Sequence, residues 1–276
     1  MTTLSSIRRV EPVLLSSLLT ACLFLLLPMA AFALLVVEIA EVERHAWDES
    51  AVSTMSGFRA WWADLIMTTA SLLGGGKGML LVSGGFVGAL VAGRRHGEAI
   101  FLASAIMGAA VLGRVFKNTL DRPRPEEARS VIGLGSKAAV IVVLATVALA
   151  WWTRWRRSGL VMGACVLALL FANEAVDLWK PTPGMDSFPS GHAVTSMAVV
   201  AAVVVLAWGT SARGWVLASG GGLLITAGLS RVYFGLHYPT DVLGGWALGI
   251  AWVAFLTGVR VAYRGRRTTS AGMRTA

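Results

Sequence analysis

PVLLSSLLTACLFLLLPMAAFALLVV, residues 12–37, holds no charged side chain between Glu11 and Glu38. Wound as an α-helix it measures about 39 Å, which exceeds the roughly 30 Å of a bilayer's hydrocarbon core. Arg8 and Arg9 precede it, and Ala31-Phe32-Ala33 near its end has the small-residue look of a signal cleavage site. The apolar run is longer than the apolar region of a typical signal peptide, so it reads as an uncleaved first span, with Pro28 a candidate kink. The rest of the chain agrees. Of 276 residues, 56% are hydrophobic and 14% charged, with a mean hydropathy of +0.69. A soluble domain carries about 25% charged residues, so this chain lacks the side chains to cover a water-facing surface. Disorder is excluded by the same apolar content.

Further apolar runs follow at about 74–93, 98–117, 137–153, 158–178, 192–211, 214–230 and 241–260. The expected fold is therefore all-α, a polytopic membrane helix bundle of about eight transmembrane helices. Residues 38–49 form an acidic segment (Glu38, Glu41, Glu43, Asp48, Glu49) placed outside. Trp61 and Trp62 open a stretch suited to an interfacial helix. The division expected is 1–73 for the first span, acidic loop and interfacial helix, 74–262 for the core, and 263–276 for a loose basic tail. Cys22 and Cys165 lie inside apolar runs and read as small hydrophobes, forming neither a zinc site nor a disulfide framework.

The net charge of +9 comes from 20 Arg and 4 Lys against 15 acidic residues. The basic residues are not spread as a nucleic-acid surface. With both termini in the cytoplasm, the inner turns hold Arg8, Arg9, Arg94, Arg95, Arg154, Arg156, Arg157, Arg213 and the C-terminal cluster, as the positive-inside rule requires. Lys117, Arg122, Arg124, Arg129, Lys180 and Arg231 fall on the other side. Cations there need a local reason, and a bound anion supplies one.

Three of those outer loops hold most of the unusual polar residues. The first is Lys117-Asn118-Thr119-Leu120-Asp121-Arg122-Pro123-Arg124-Pro125, the second Phe188-Pro189-Ser190-Gly191-His192. The third is Ser230-Arg231, then His237-Tyr238-Pro239-Thr240-Asp241. Lys117, Arg124 and Arg231 are three fixed cations able to hold a phosphate dianion. Ser190 adds a hydroxyl, and Gly191 lets backbone approach closely at a helix start whose free N–H groups favour anions. His192 and His237 suit proton donor and nucleophile. Asp241 follows His237 by one helical turn and can fix its tautomer. Gly74-Gly75-Gly76-Lys77-Gly78 lacks the Ser/Thr and preceding strand of a nucleotide phosphate loop. Arg122 reads equally as a second neighbour of the site or as a solvated loop charge, and Arg114 as a snorkelling cation.

These segments resemble the type 2 phosphatidic acid phosphatase family, whose pattern is Lys-x6-Arg-Pro, Pro-Ser-Gly-His and Ser-Arg-x5-His-x3-Asp. The resemblance implies a metal-independent membrane lipid phosphatase without cofactor. In it His237 attacks phosphorus, Asp241 orients His237, and His192 protonates the leaving oxygen. Lys117, Arg124, Ser190, Gly191 and Arg231 hold the phosphoryl oxygens. The implied partners are a lipid phosphate and the bilayer, with no nucleic acid. The Arg-rich loops and compact build point to a bacterial-type inner (plasma) membrane, and the loop charges put the site on its periplasmic side. In the family the first two motifs usually share a loop. Here two apolar runs at 137–178 separate them, adding two spans to a six-helix core. A phosphotransferase with the same intermediate, or a non-catalytic lipid-binding or transport protein, are the alternative readings.

Overall fold

A computed structural model describes residues 4–41, 45–126, 156–177 and 186–272. The secondary structure is helical throughout these residues. That follows from the setting expected for such apolar runs, since a lipid-facing backbone must pair all its polar groups within its own segment. The first helix, α1 (Leu4–Glu41), continues unbroken through Pro28. A short helix, α2 (Ala46–Gly57), carries Asp48 and Glu49 in its first turn, where the helix dipole favours negative charge. Next come α3 (Trp61–Leu73) and α4 (Gly76–Ala92), two helices bent by 51° at the Gly74–Gly75 break. After α5 (His96–Leu120), Asp121 adopts the left-handed conformation at φ 41° and turns the chain sharply. The remaining helices are α6 (Arg156–Asp177), α7 (Gly191–Ala207), α8 (Arg213–Tyr233) and α9 (Pro239–Gly272).

Each apolar run expected to span, other than 137–153, coincides with a helix; 137–153 lies outside the described residues, as do Arg129, Arg154 and Lys180. Four described helical segments are long and apolar enough to cross a bilayer: Leu23–Glu41, His96–Leu120, Arg213–Tyr233 and Pro239–Arg264. The bent α3–α4 pair passes the same test as one broken span, while α6 and α7 have shorter apolar cores. Large hydrophobic side chains face outward around the bundle, among them Leu27, Leu34, Ile100, Phe171 and Trp215. That is the surface of a multi-pass membrane protein. The tail differs from expectation, because α9 remains helical to Gly272 rather than loosening after residue 263.

Helix α7 sits centrally, packed against α4, α5, α8 and α9, while α1 lies on α9, α3 on α8 and α6 on α4. Small residues make these crossings close: Ala105, Ala109, Ala198 and Ala202 are completely buried beside Ile106 and Val194. The crossing between α7 and α9 has a functional consequence. A Cβ on Gly245 would lie 2.7 Å from Ala193 Cβ, and one on Gly249 would lie 2.8 Å from the Val194 carbonyl oxygen. Glycine therefore lets the start of α9 lie directly on the first turn of α7. The Ser190 N–H donates to the Asp241 carbonyl at 3.0 Å, joining the second and third sequence motifs through the backbone.

Candidate active site

The three motifs meet at one end of the bundle. Lys117 ends α5 and Arg124 follows its left-handed turn. His192 occupies the first turn of α7, and Arg231 ends α8. His237 lies in the short connection to α9, with Asp241 in that helix's first turn. Lys117, Arg124, Gly191, His192, Arg231 and His237 all line one cavity of about 280 Å³. Met79, Leu80, Ile106, Ala109 and Ala110 give the same cavity an apolar part of its wall. Arg114 also lines this cavity, one turn before Lys117.

Buried donors define the polar end. The Nε and Nη2 atoms of Arg231 and the Oγ of Ser190 have no partner among the described residues. Ser190 is the N-cap of α7, yet its side chain makes no capping bond. A buried donor without an acceptor costs free energy, and an anionic oxygen is the acceptor that offsets this best. Arg124 is engaged differently. It donates through Nε and Nη2 to the Asp186 carboxylate at 2.6 and 2.9 Å, and Lys117 Nζ donates to the Asp186 carbonyl. Burial alone would raise the Asp186 carboxyl; the Arg124 hydrogen bond and the charges of Lys117, Arg124 and His237 outweigh it and hold it below the usual range.

His192 owes its position to glycine. A Cβ on Gly75 would fall 2.1 Å from His192 Cδ2, so the ring packs against bare backbone. Gly76, at φ +55°, adopts the left-handed conformation that starts α4 beside the same ring. His237 is almost fully buried, and its Nδ1 lies 3.5 Å from Asp241 Oδ2, longer than a hydrogen bond. Burial lowers its pKa to about 4, with Lys117 and Arg124 adding to the effect and Asp241 opposing it. At neutral pH the imidazole is therefore uncharged and keeps a lone pair.

Behind His237 lies a network that the motif spacing does not show. Arg122 Nη1 donates to Asp241 Oδ1 at 2.6 Å and to Thr240 Oγ1 at 2.7 Å, while Nη2 donates to Asp48 Oδ2 at 2.9 Å. Asp48 also accepts from the Thr240 hydroxyl at 2.5 Å and from its N–H at 3.1 Å. The second oxygen of Asp241 accepts from Ser187 Oγ at 2.5 Å and the Tyr238 N–H at 2.8 Å. The Arg122 guanidinium lies 4.5 Å from the Tyr238 ring centroid. Asp48, Ser187, Thr240 and Asp186 had no distinguishing sequence signal beyond adjacency to a motif or membership of an acidic stretch. Arg122 stood in view within the first motif without a readable direction.

Comparisons with known proteins bear on the same segments. A sequence model of the PAP2 superfamily matches residues 98–264. Over 80 residues the chain is 39% identical to an undecaprenyl-diphosphatase of Sulfolobus acidocaldarius, covering 29% of this chain and 36% of that protein. Over 69 residues it is 36% identical to phosphatidylglycerophosphatase B of Bacillus subtilis, covering 23% of this chain and 34% of that protein. These matches thus span about a third of the relatives' own length. The fold is similar to the crystal structure of a transmembrane PAP2-type phosphatidylglycerolphosphate phosphatase from Bacillus subtilis. The TM-score is 0.59 and the identity 20%, covering 85% of this chain and 96% of that one.

Proposed function

This chain belongs to the PAP2 superfamily, and from that premise we propose that it is an integral membrane phosphatase acting on a lipid phosphate or diphosphate. The observation that carries the reading is the lining of one cavity. Cations and two imidazoles form one part of its wall and aliphatic side chains another. A head-group phosphate fits the first and the start of a lipid chain fits the second. The names of the relatives, an undecaprenyl-diphosphatase and a phosphatidylglycerophosphatase, suit a substrate of this class, as does phosphatidic acid.

In the proposed reaction the neutral His237 attacks phosphorus through Nε2, forming a phosphorus–nitrogen bond as the bond to the lipid oxygen breaks. His192 gives its proton to that departing oxygen. Water then attacks the phosphohistidine, losing its proton to His192, and orthophosphate leaves. Lys117, Arg124 and Arg231, with Ser190 and the Gly191 backbone, hold the equatorial oxygens throughout. Asp241 supports the imidazole while it carries positive charge. The site faces the extracytoplasmic side of the plasma membrane, the N- and C-termini face the cytoplasm, and eight spans cross it. This orientation rests on the Arg94–Arg95 turn and Arg260, which lie at the opposite end of the bundle from the site.

The test is a panel of lipid phosphates offered to purified protein in detergent, with and without vanadate. Vanadate-sensitive orthophosphate release from at least one member is the expected result. No release from undecaprenyl diphosphate, phosphatidic acid or phosphatidylglycerophosphate would overturn the reading.

A further inference from the structure

The charges behind His237 number three, and their arrangement is unusual for a buried cluster. Asp48, Arg122 and Asp241 have completely buried side chains. Asp48 comes from α2, outside the segment 98–264 that matches the superfamily, yet it touches the helix that carries Asp241. Buried ion pairs contribute little net stability, because desolvation offsets the attraction. Apolar residues of equal volume could hold α2 against α9 as well, so the charges call for a different explanation.

The geometry supplies it. We propose that Asp48 and Arg122 are positioning residues for the reaction: Arg122 occupies Asp241 Oδ1 and so aims Oδ2 at His237, while Asp48 cancels the charge of Arg122 so that Asp241 keeps a net negative charge for the imidazole. This rests on the reading of His237 as the nucleophile. Oδ1 is taken by Arg122 and Oδ2 is turned toward Ser187, the Tyr238 N–H and His237. Thr240 links the two ends, donating to Asp48 and accepting from Arg122. By formal charge, two carboxylates and one guanidinium leave one negative charge, adjacent to the ring that must become positive.

Each single neutralisation then has its own sign. Arg122→Gln leaves two carboxylates facing each other, so His237 holds a proton more readily. Asp48→Asn leaves Arg122 to neutralise Asp241, so His237 holds a proton less readily and its positive state loses support. The other charged groups around the cavity that His237 lines are the same in both variants: Arg114 and Lys117 from α5, Arg124 and Asp186 from the loops, His192 from α7 and Arg231 from α8.

The experiment measures kcat/KM against pH for detergent-purified wild type, Arg122→Gln, Asp48→Asn, the double variant and Arg122→Lys, on one lipid phosphate cleaved by the wild type. The acid limb moves up by about half a pH unit or more in Arg122→Gln and down in Asp48→Asn, the sizes expected of a nearby charge. In both, kcat falls roughly tenfold or more with a smaller change in KM, the pattern of lost transition-state support. In the double variant the limb returns near its wild-type position, and Arg122→Lys restores the limb but only part of kcat. A purely structural contact would lower the yield of folded protein and leave the limbs in place. Limbs that stay put, or move the same way in both single variants, overturn the proposal. If a single variant does not fold, the double variant decides: full kcat overturns the relay, and a tenfold loss supports it. His237→Ala is run alongside; activity surviving there defeats the nucleophile reading itself, whatever the relay variants do.

Discussion

His237 has two sides, and the arginines on them are treated in opposite ways. On the cavity side, Arg231 is buried with Nε and Nη2 unpaired among the described residues, and Arg124 is held by a carboxylate that is only partly buried. On the far side, Arg122 is fully buried and its guanidinium meets two carboxylates, a hydroxyl and an aromatic ring. Arg231 is thus left short of acceptors on the side proposed to receive the phosphate, and Arg122 is saturated on the side that supports Asp241. On the proposed reading, incomplete pairing at Arg231 belongs to the binding face and complete pairing at Arg122 to the support.

That contrast can be broken from either side. The largest effect belongs to the residue between them: His237→Ala should abolish phosphate release, a fall of roughly a thousandfold or more, measured as orthophosphate from a lipid substrate. On the cavity side, Arg231→Met should cost about a hundredfold in kcat, as removal of one preorganised donor to a developing charge does. Arg231→Lys should recover only part of it, because an ammonium lacks the fork. Gly75→Ala comes next. Its methyl group would occupy the His192 ring position, and displacement of a catalytic group by about 1 Å can cost up to a hundredfold in rate. Its thermal stability measured beside its kcat separates a displaced ring from a misfolded chain.

The pH dependence follows from His237. As the proposed nucleophile it can attack only in its uncharged form, and burial lowers its pKa to about 4. Protonation therefore comes late as pH falls, and kcat/KM should hold through mildly acidic buffer and decline only toward pH 4, well below where an exposed histidine would lose activity. A decline centred near the ordinary histidine value would show that the ring is better solvated than its surroundings indicate. The smallest effect is at Asp186, which holds the Arg124 fork that the proposed phosphate would need. Asp186→Asn should make orthophosphate and vanadate inhibit at concentrations a few-fold lower, by about the value of one partly exposed ion pair. Weaker inhibition would mean that Asp186 chiefly orients Arg124.

How much of this was legible in the sequence depended on whether spacing carried the information. Lys117, Arg124, Ser190, Gly191, His192, Arg231, His237 and Asp241 could be read because each sits at a fixed interval within a short motif, and the alternation of apolar runs put those motifs on one side. They do meet at one end of the bundle. Asp48 could not be read. It is one of five acids in a stretch of twelve residues, and nothing local distinguishes the carboxylate that inserts from the exposed Glu38, Glu41 and Glu49. Arg122 was visible but ambiguous, since a loop arginine's direction depends on the left-handed turn at Asp121, which no periodicity records. The helix break at Gly74–Gly75 was readable as a breaker, but its use in seating His192 depends on a contact across more than a hundred residues of chain.

The proposed chemistry turns on a phosphorus–nitrogen bond at His237. Wild type and His192→Ala should be mixed with a radiolabelled lipid phosphate, quenched in alkali within the first turnover, and digested for mass spectrometry. The prediction is an alkali-stable, acid-labile phosphoryl group on the peptide carrying His237, short-lived in the wild type and longer-lived when His192 is absent to activate water. Label on another residue, or brisk lipid hydrolysis with no labelled protein in either sample, would contradict it.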